Sequence, residues 1–142
     1  MSSQASLTLD DILLPLAITV IIDSKIKEPE LNAFIEQGVG LSDLFELSGI
    51  TDKVVREWYE ENSEPLREKL SGKRRNTLVL RALTRFQDEM RIDNVFEAMV
   101  SISVSDHEYH EEESELIRSA ASVWGLQRPP LKVDTRKKKA PL

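Results

Sequence analysis

The sequence predicts an all-α protein, and three observations lead to that prediction. The chain is rich in Leu, Glu, Arg, Ala and Ile, which lose little conformational freedom in a helix. Glycine is scarce, at 5 of the 142 residues. Apolar residues recur at helical spacing along most of the chain, and no convincing strand-like alternation is present. We therefore expect seven to eight helices in a single bundle-like domain.

The first helix is predicted to begin after Thr8, whose side chain can cap it. Asp10 and Asp11 follow in the first turn, where acids complement the positive end of the helix. The apolar run over 12–22 is too short to cross a bilayer as a helix and contains Pro15. We expect a buried core helix that Pro15 kinks or divides.

Four short helices are predicted in the next part of the chain. The first covers 29–37 and ends at the sequence GVG, and the second covers 42–47. The third begins at Thr51 or Asp52. A break at Ser63 then separates it from the fourth, which Gly72 closes.

Three amphipathic helices follow, over 76–90, 92–104 and 111–124. The last of them is predicted to stop at Gly125. The helix over 76–90 has an apolar face and a basic face. The apolar face comprises Val79, Ala82, Leu83, Phe86 and Met90, and the basic face carries Arg74, Arg81 and Arg85.

The predicted organisation is a disordered N-terminus over 1–7, a helical domain over 8–126 and a flexible basic tail over 127–142. A net charge of −6 argues against nucleic-acid binding, because an acidic chain is repelled by phosphates. The absence of cysteine excludes disulfides and thiolate chemistry. With no apparent signal peptide or membrane-spanning run, we expect a cytoplasmic protein without membrane insertion.

An internal repeat links the two ends of the domain. The sequences ITVIIDSKIKEPE and VSISVSDHEYHEEE both place an Asp after an apolar helix, followed by acids five and seven residues later. The matched pairs are Asp23 with Asp106, Ile26 with Tyr109, Glu28 with Glu111, and Glu30 with Glu113. Each unit is therefore predicted to be a helix, an acidic turn and a second helix.

This repeat resembles the tellurite-resistance TerB-type family, whose helical domain carries a similar acidic turn twice. The matching pieces are IIDSKIKEPE, SVSDHEYHEEE and the final SVWGL, and the resemblance covers roughly residues 9–126. The chain departs from the family where a Gly commonly follows the Asp, since Ser24 and His107 stand there. The resemblance implies a stress-associated protein with acidic positions suited to metal binding, and it makes a co-chaperone-type scaffold credible.

The acidic turns have two explanations at this point. Asp23, Glu28 and Glu30, with Asp106, Glu111 and Glu113, can supply oxygen ligands to a divalent cation if the two turns meet. Alternatively, Glu30 and Glu113 stand at the third helical position if Lys27 and His110 are the caps. A glutamate there can accept a hydrogen bond from the backbone of the cap, which needs no ligand.

The remaining candidate sites have weaker support. His107 and His110 can act as metal ligands, but we expect solvated histidines because the chain has no third one. No nucleophile–base pattern or phosphate-binding loop is recognisable. A third alternative, a hydrolase that uses the acidic cluster, would need a concave pocket around these acids. Arg74, Arg81 and Arg85 can bind an anion or an acidic partner, although a solvated helix face has the same pattern.

We therefore predict a non-enzymatic, TerB-like binding module that docks partner proteins. A divalent cation at the paired acidic turns is the one cofactor that the sequence suggests. The alternative is a pure protein-interaction or co-chaperone-type scaffold, in which the acids only cap helices.

Overall fold

The computed structural model describes residues 7–22, 28–105 and 111–126, with only the backbone described at 111–113. These residues form six α-helices and no strand, so the all-α prediction is confirmed. The helices are α1 (Leu9–Ile21), α2 (Glu28–Leu44), α3 (Asp52–Leu70), α4 (Arg75–Thr84), α5 (Glu89–Ser103) and α6 (Glu111–Trp124). None of them is long and apolar enough to cross a membrane.

The predicted number of seven to eight helices is wrong because two expected breaks are absent. α2 continues through GVG, and α3 continues through Ser63 and Pro65. In α3, Leu66 and Leu70 extend the buried face that begins with Val55 and Tyr59. Burial of that continuous face outweighs the local cost of a proline inside the helix.

The helix predicted over 76–90 also ends earlier than expected. α4 stops at Thr84, and the side chain of Asp88 accepts a hydrogen bond from the backbone N–H of Arg91 as the cap of α5. Phe86 is buried in the connection, as its apolar character suggested. Met90, which was predicted on the apolar face, is instead 54% exposed because the new helix turns it outward.

α1 is the central helix of the domain and packs against α2, α3, α4 and α5. Its residues from Ile12 to Ile21 are buried except Leu14, which confirms the predicted core helix. Pro15 does not divide it, and the hydroxyl of Thr19 donates to the Pro15 carbonyl at 2.9 Å. Thr8 and Asp11 form the reciprocal cap at its start.

The close approach of α1, α2 and α3 depends on Gly38. A Cβ atom at this position would lie 2.8 Å from Leu13 Cδ2 and 3.2 Å from Val55 Cγ1. Gly40, in the same helix, has nothing within 4 Å of the equivalent point. The first glycine of GVG therefore serves helix packing rather than helix termination.

These two glycines give a matched pair of variants. We expect Gly40→Ala to raise the free energy of unfolding by about 0.5–1 kcal/mol, because alanine costs less backbone entropy in a helix. Gly38→Ala has the same favourable effect on backbone entropy, but its methyl group crowds Leu13 and Val55. Its free energy of unfolding should therefore be about 1–3 kcal/mol lower than that of Gly40→Ala. Urea denaturation of both variants measures the difference, and equal stabilities would mean that Gly38 is not needed for packing.

Candidate functional site

The helices that flank the two acidic segments lie where the repeat predicted them. α2 begins five residues after Asp23, and α6 begins five residues after Asp106. Glu30 and Glu113 are therefore third in their helices, as the capping explanation requires. The candidate residues Asp23, Asp106, His107 and His110 lie outside the described residues, as do the two caps.

The first helices of the two units, α1 and α5, pack directly against each other. A small pocket of about 70 Å³ also links the units. It is lined by Ile22 after α1, by Arg75, Asn76 and Val79 of α4, and by Glu115, Leu116 and Ser119 of α6. Ile22 precedes Asp23, and Glu115 follows Glu113 by two residues. The end of the first unit's α1 therefore lies beside the start of the second unit's α6.

The described acids of the candidate site have contrasting environments. Glu28 is exposed, whereas Glu30 is fully buried at 0% exposure. An ionised carboxylate loses strong hydration on burial, so a buried glutamate is costly unless its surroundings compensate it. Glu111 and Glu113 belong to the first turn of α6, but only their backbone is described.

Tyr59 of α3 lies near Glu30 and was missed as a site residue. Burial raises the pKa of Tyr59, the charge of Arg67 lowers it, and the charge of Glu30 raises it further. In the sequence, Tyr59 is simply the aromatic residue that follows Trp58. Nothing in the local pattern indicates that a carboxylate from another helix influences Tyr59.

Among the side chains that the structure describes, which do not include those of 111–113, no three from His, Asp or Glu are grouped so that they could hold a metal ion. Glu28 and Glu30 alone do not make a cation site. The ligand set predicted from the sequence also includes Asp23, Asp106, Glu111 and Glu113, whose side chains lie outside the described part of the chain, so it stays a prediction.

The three candidate arginines do not share one environment. Arg74 and Arg81 are exposed, and Arg74 stands at the N-cap of α4 without a side-chain capping bond. Arg85 donates from Nε and Nη2 to the two carboxylate oxygens of Asp11, each at 3.0 Å. Its guanidinium thus connects the end of α4 to the start of α1, and binding of an anion by these arginines stays a prediction.

The Asp11–Arg85 pair gives a pH-dependent prediction. Burial raises the pKa of Asp11, but hydrogen bonds from Arg85 and Thr8 and the charge of Arg85 together lower it below 3.8. The stabilisation is therefore present above the unfolded pKa, about 3.9, and is lost as the pH falls through the folded pKa. Since Arg85 is half-exposed, we expect Arg85→Gln to cost only about 0.5–1 kcal/mol at pH 7.

Denaturation of this variant at several pH values between 7 and 3 checks the prediction. The difference from the unmodified chain should shrink as Asp11 becomes protonated. Arg81→Gln is a suitable control because Arg81 is exposed on α4, the helix that ends just before Arg85. A loss that is constant with pH, or equal for both variants, would contradict an Asp11–Arg85 contribution.

Comparison with known proteins does not assign the chain to a family. No family model, curated protein or solved structure matches it. The similarity to the TerB type therefore stays a resemblance carried by short motifs.

Proposed function

We propose that this chain is a non-enzymatic binding domain of the TerB type, which takes a divalent cation between its two acidic turns and docks partner proteins. The observation that carries the proposal is the shared pocket of Ile22 and Glu115. It brings the end of α1, next to Asp23, beside the start of α6, next to Glu113. We infer from this neighbourhood that carboxylates from both acidic segments act on one ion.

The buried carboxylate of Glu30 supports the same proposal. At exposed positions an acid that complements a helix dipole typically contributes about 0.3–1 kcal/mol. Glu30 is instead fully buried at the start of α2, directly after the first acidic turn. A cation held by the first acidic segment would add to the interactions that Glu30 already makes, since hard divalent cations prefer carboxylate oxygens. The association with tellurite or other stress is part of the proposal through the resemblance alone.

Calorimetry on the chelator-treated full chain tests the cation. Calcium, magnesium, zinc and manganese are titrated separately, and we expect at least one to bind more tightly than millimolar. The double variant Asp23→Ala with Asp106→Ala should weaken this binding by at least about 10-fold, because it removes one carboxylate from each turn.

The control for this experiment is Asp43→Ala with Glu57→Ala. It changes the net charge equally but removes exposed acids from α2 and α3. Failure of all four cations to bind, or equal weakening by both double variants, would rule out a site at the acidic turns.

The alternative is a protein-interaction scaffold whose acids are structural. It is favoured by the start of α2 at Glu28 and of α6 at Glu111, which place Glu30 and Glu113 at the capping-box position. Glu30→Gln and Glu113→Gln distinguish the two proposals. Glutamine also serves a capping box, so the scaffold predicts little loss of stability, whereas a cation site predicts a clear loss of affinity.

A further inference from the structure

The contact between α2 and α3 contains a polar pair inside an aromatic cluster. The ring of Phe34 lies 5.3 Å from that of Tyr59 and 6.3 Å from that of Trp58, between centroids. Glu30 precedes Phe34 by one helical turn and therefore shares its face of α2. Glu30 and Phe34 are both 0% exposed, and Tyr59 is 7% exposed. The carboxylate and the phenol thus enter the same interior region from different helices.

The Tyr59 hydroxyl is buried and forms no hydrogen bond with any residue that the structure describes. Buried hydroxyl groups almost always have a partner, which is often an ordered water. An ionised carboxylate can only accept hydrogen bonds, whereas a phenol can donate one. Glu30 lies one helical turn before Phe34, whose ring centroid is 5.3 Å from that of Tyr59, so its carboxylate is the natural nearby acceptor for this donor.

We propose that Tyr59 is a positioning residue for Glu30, and that its hydroxyl donates to a bridging water that in turn donates to the Glu30 carboxylate. This arrangement satisfies the phenol and adds one orienting contact to those that Glu30 already makes at the start of α2. Its importance for cation binding rests on the proposed function. The coupling between Tyr59 and Glu30 does not rest on the proposed function, because we expect it in the cation-free protein.

A double-mutant cycle in the presence of a chelator tests the coupling. The unfolding equilibrium constant is measured for the full chain and for Glu30→Met, which removes both acceptor oxygens, for Tyr59→Phe and for the double variant. Each single change should raise the unfolding equilibrium constant. The two changes together should raise it roughly 10-fold less than the product of the single effects, because each change already breaks the shared bridge. Effects that multiply to within about twofold would overturn the proposal.

Alkaline titration followed by tyrosine absorbance measures the pKa of Tyr59. A purely structural role of Glu30 would leave this pKa unchanged. It uses a Tyr109→Phe background, because the chain has two tyrosines. Glu30→Gln should lower the pKa of Tyr59, whereas Glu60→Gln, an exposed acid on the same helix as Tyr59, should not. Equal pKa values in the two variants would overturn the proposal.

The cation titration distinguishes a failure of the proposed function from a failure of the proposed role of Tyr59. If the unmodified chain binds no cation, the proposed function fails while the cycle still decides the Tyr59–Glu30 bridge. If the chain binds and Tyr59→Phe binds equally well, the function stands and Tyr59 does not position a ligand. We expect Tyr59→Phe to weaken binding by about 10-fold, as is typical when a partner of a metal ligand is removed.

Discussion

Phe34→Ala is expected to lower the free energy of unfolding by about 3–5 kcal/mol. Phe34 is fully buried where α2 meets α3, and its ring contacts both Trp58 and Tyr59. Alanine would leave a cavity and remove two aromatic contacts, each of which contributes about 0.5–1.5 kcal/mol beyond area burial. A loss of this size is a large part of the stability of a domain with a typical 5–15 kcal/mol.

Urea denaturation monitored by helical circular dichroism measures this loss. Leu80→Ala is the control, because Leu80 is half-exposed on α4 and its removal should change stability much less. If Phe34→Ala were as stable as the Leu80 variant, the packing of α2 on α3 described above would be incorrect.

Trp124→Ala is expected to have the second largest effect, about 2–4 kcal/mol, because the side chain is half-buried rather than fully enclosed. Its ring meets Phe86 and Phe96 edge-on at 6.5 and 6.4 Å between centroids. Its indole Nε1 donates to the Leu83 carbonyl at 2.9 Å. Trp124 therefore packs the last turn of α6 against α4, α5 and the connection between them.

Trp124→Phe separates the two contributions of this side chain. It retains an aromatic ring but removes the indole donor, so we expect a smaller loss of about 1–2 kcal/mol. Thermal unfolding followed by calorimetry ranks the three proteins. The docking of α6 through Trp124 would be contradicted if alanine and phenylalanine were equally stable, or if neither differed from tryptophan.

Local chemistry predicted much of the helical framework. The cap at Thr8, the buried run over 12–22 and the stop at Gly125 all agree with the structure, where Gly125 adopts a positive φ of 69°. These features depend on residues close together in the sequence. Capping, helix dipoles and left-handed glycines can therefore be inferred without knowing what packs where.

The helix breaks expected at GVG and Ser63 were wrong because tertiary contacts decide both positions. Gly38 resembles a stop signal in sequence, but its missing Cβ makes room for Leu13 and Val55. The helix continues past Ser63 and Pro65 because Leu66 and Leu70 are buried beyond them. A local pattern cannot distinguish a glycine that ends a helix from one that admits a neighbouring helix.

The candidate site also combines features that the sequence predicted with features that it did not. The repeat predicted the acids at the starts of α2 and α6, because helix starts and acidic first turns are local features. It did not predict that Glu30 is fully buried while Glu28 is exposed, or that Tyr59 lies near Glu30. Those facts depend on the packing of α3 against α2, which brings together residues far apart in the chain.

The central claim is that one cation sits between the two acidic turns. Nuclear magnetic resonance with paramagnetic manganese tests it most directly, because the ion broadens the signals of nearby amides whichever turn they belong to. We expect substoichiometric manganese to broaden Ile22 and Glu28 at one turn together with Ser105 and Ser114 at the other, and Asp23→Ala with Asp106→Ala to abolish both effects. Broadening at one turn alone, or the same broadening in the double variant, would contradict a shared cation site.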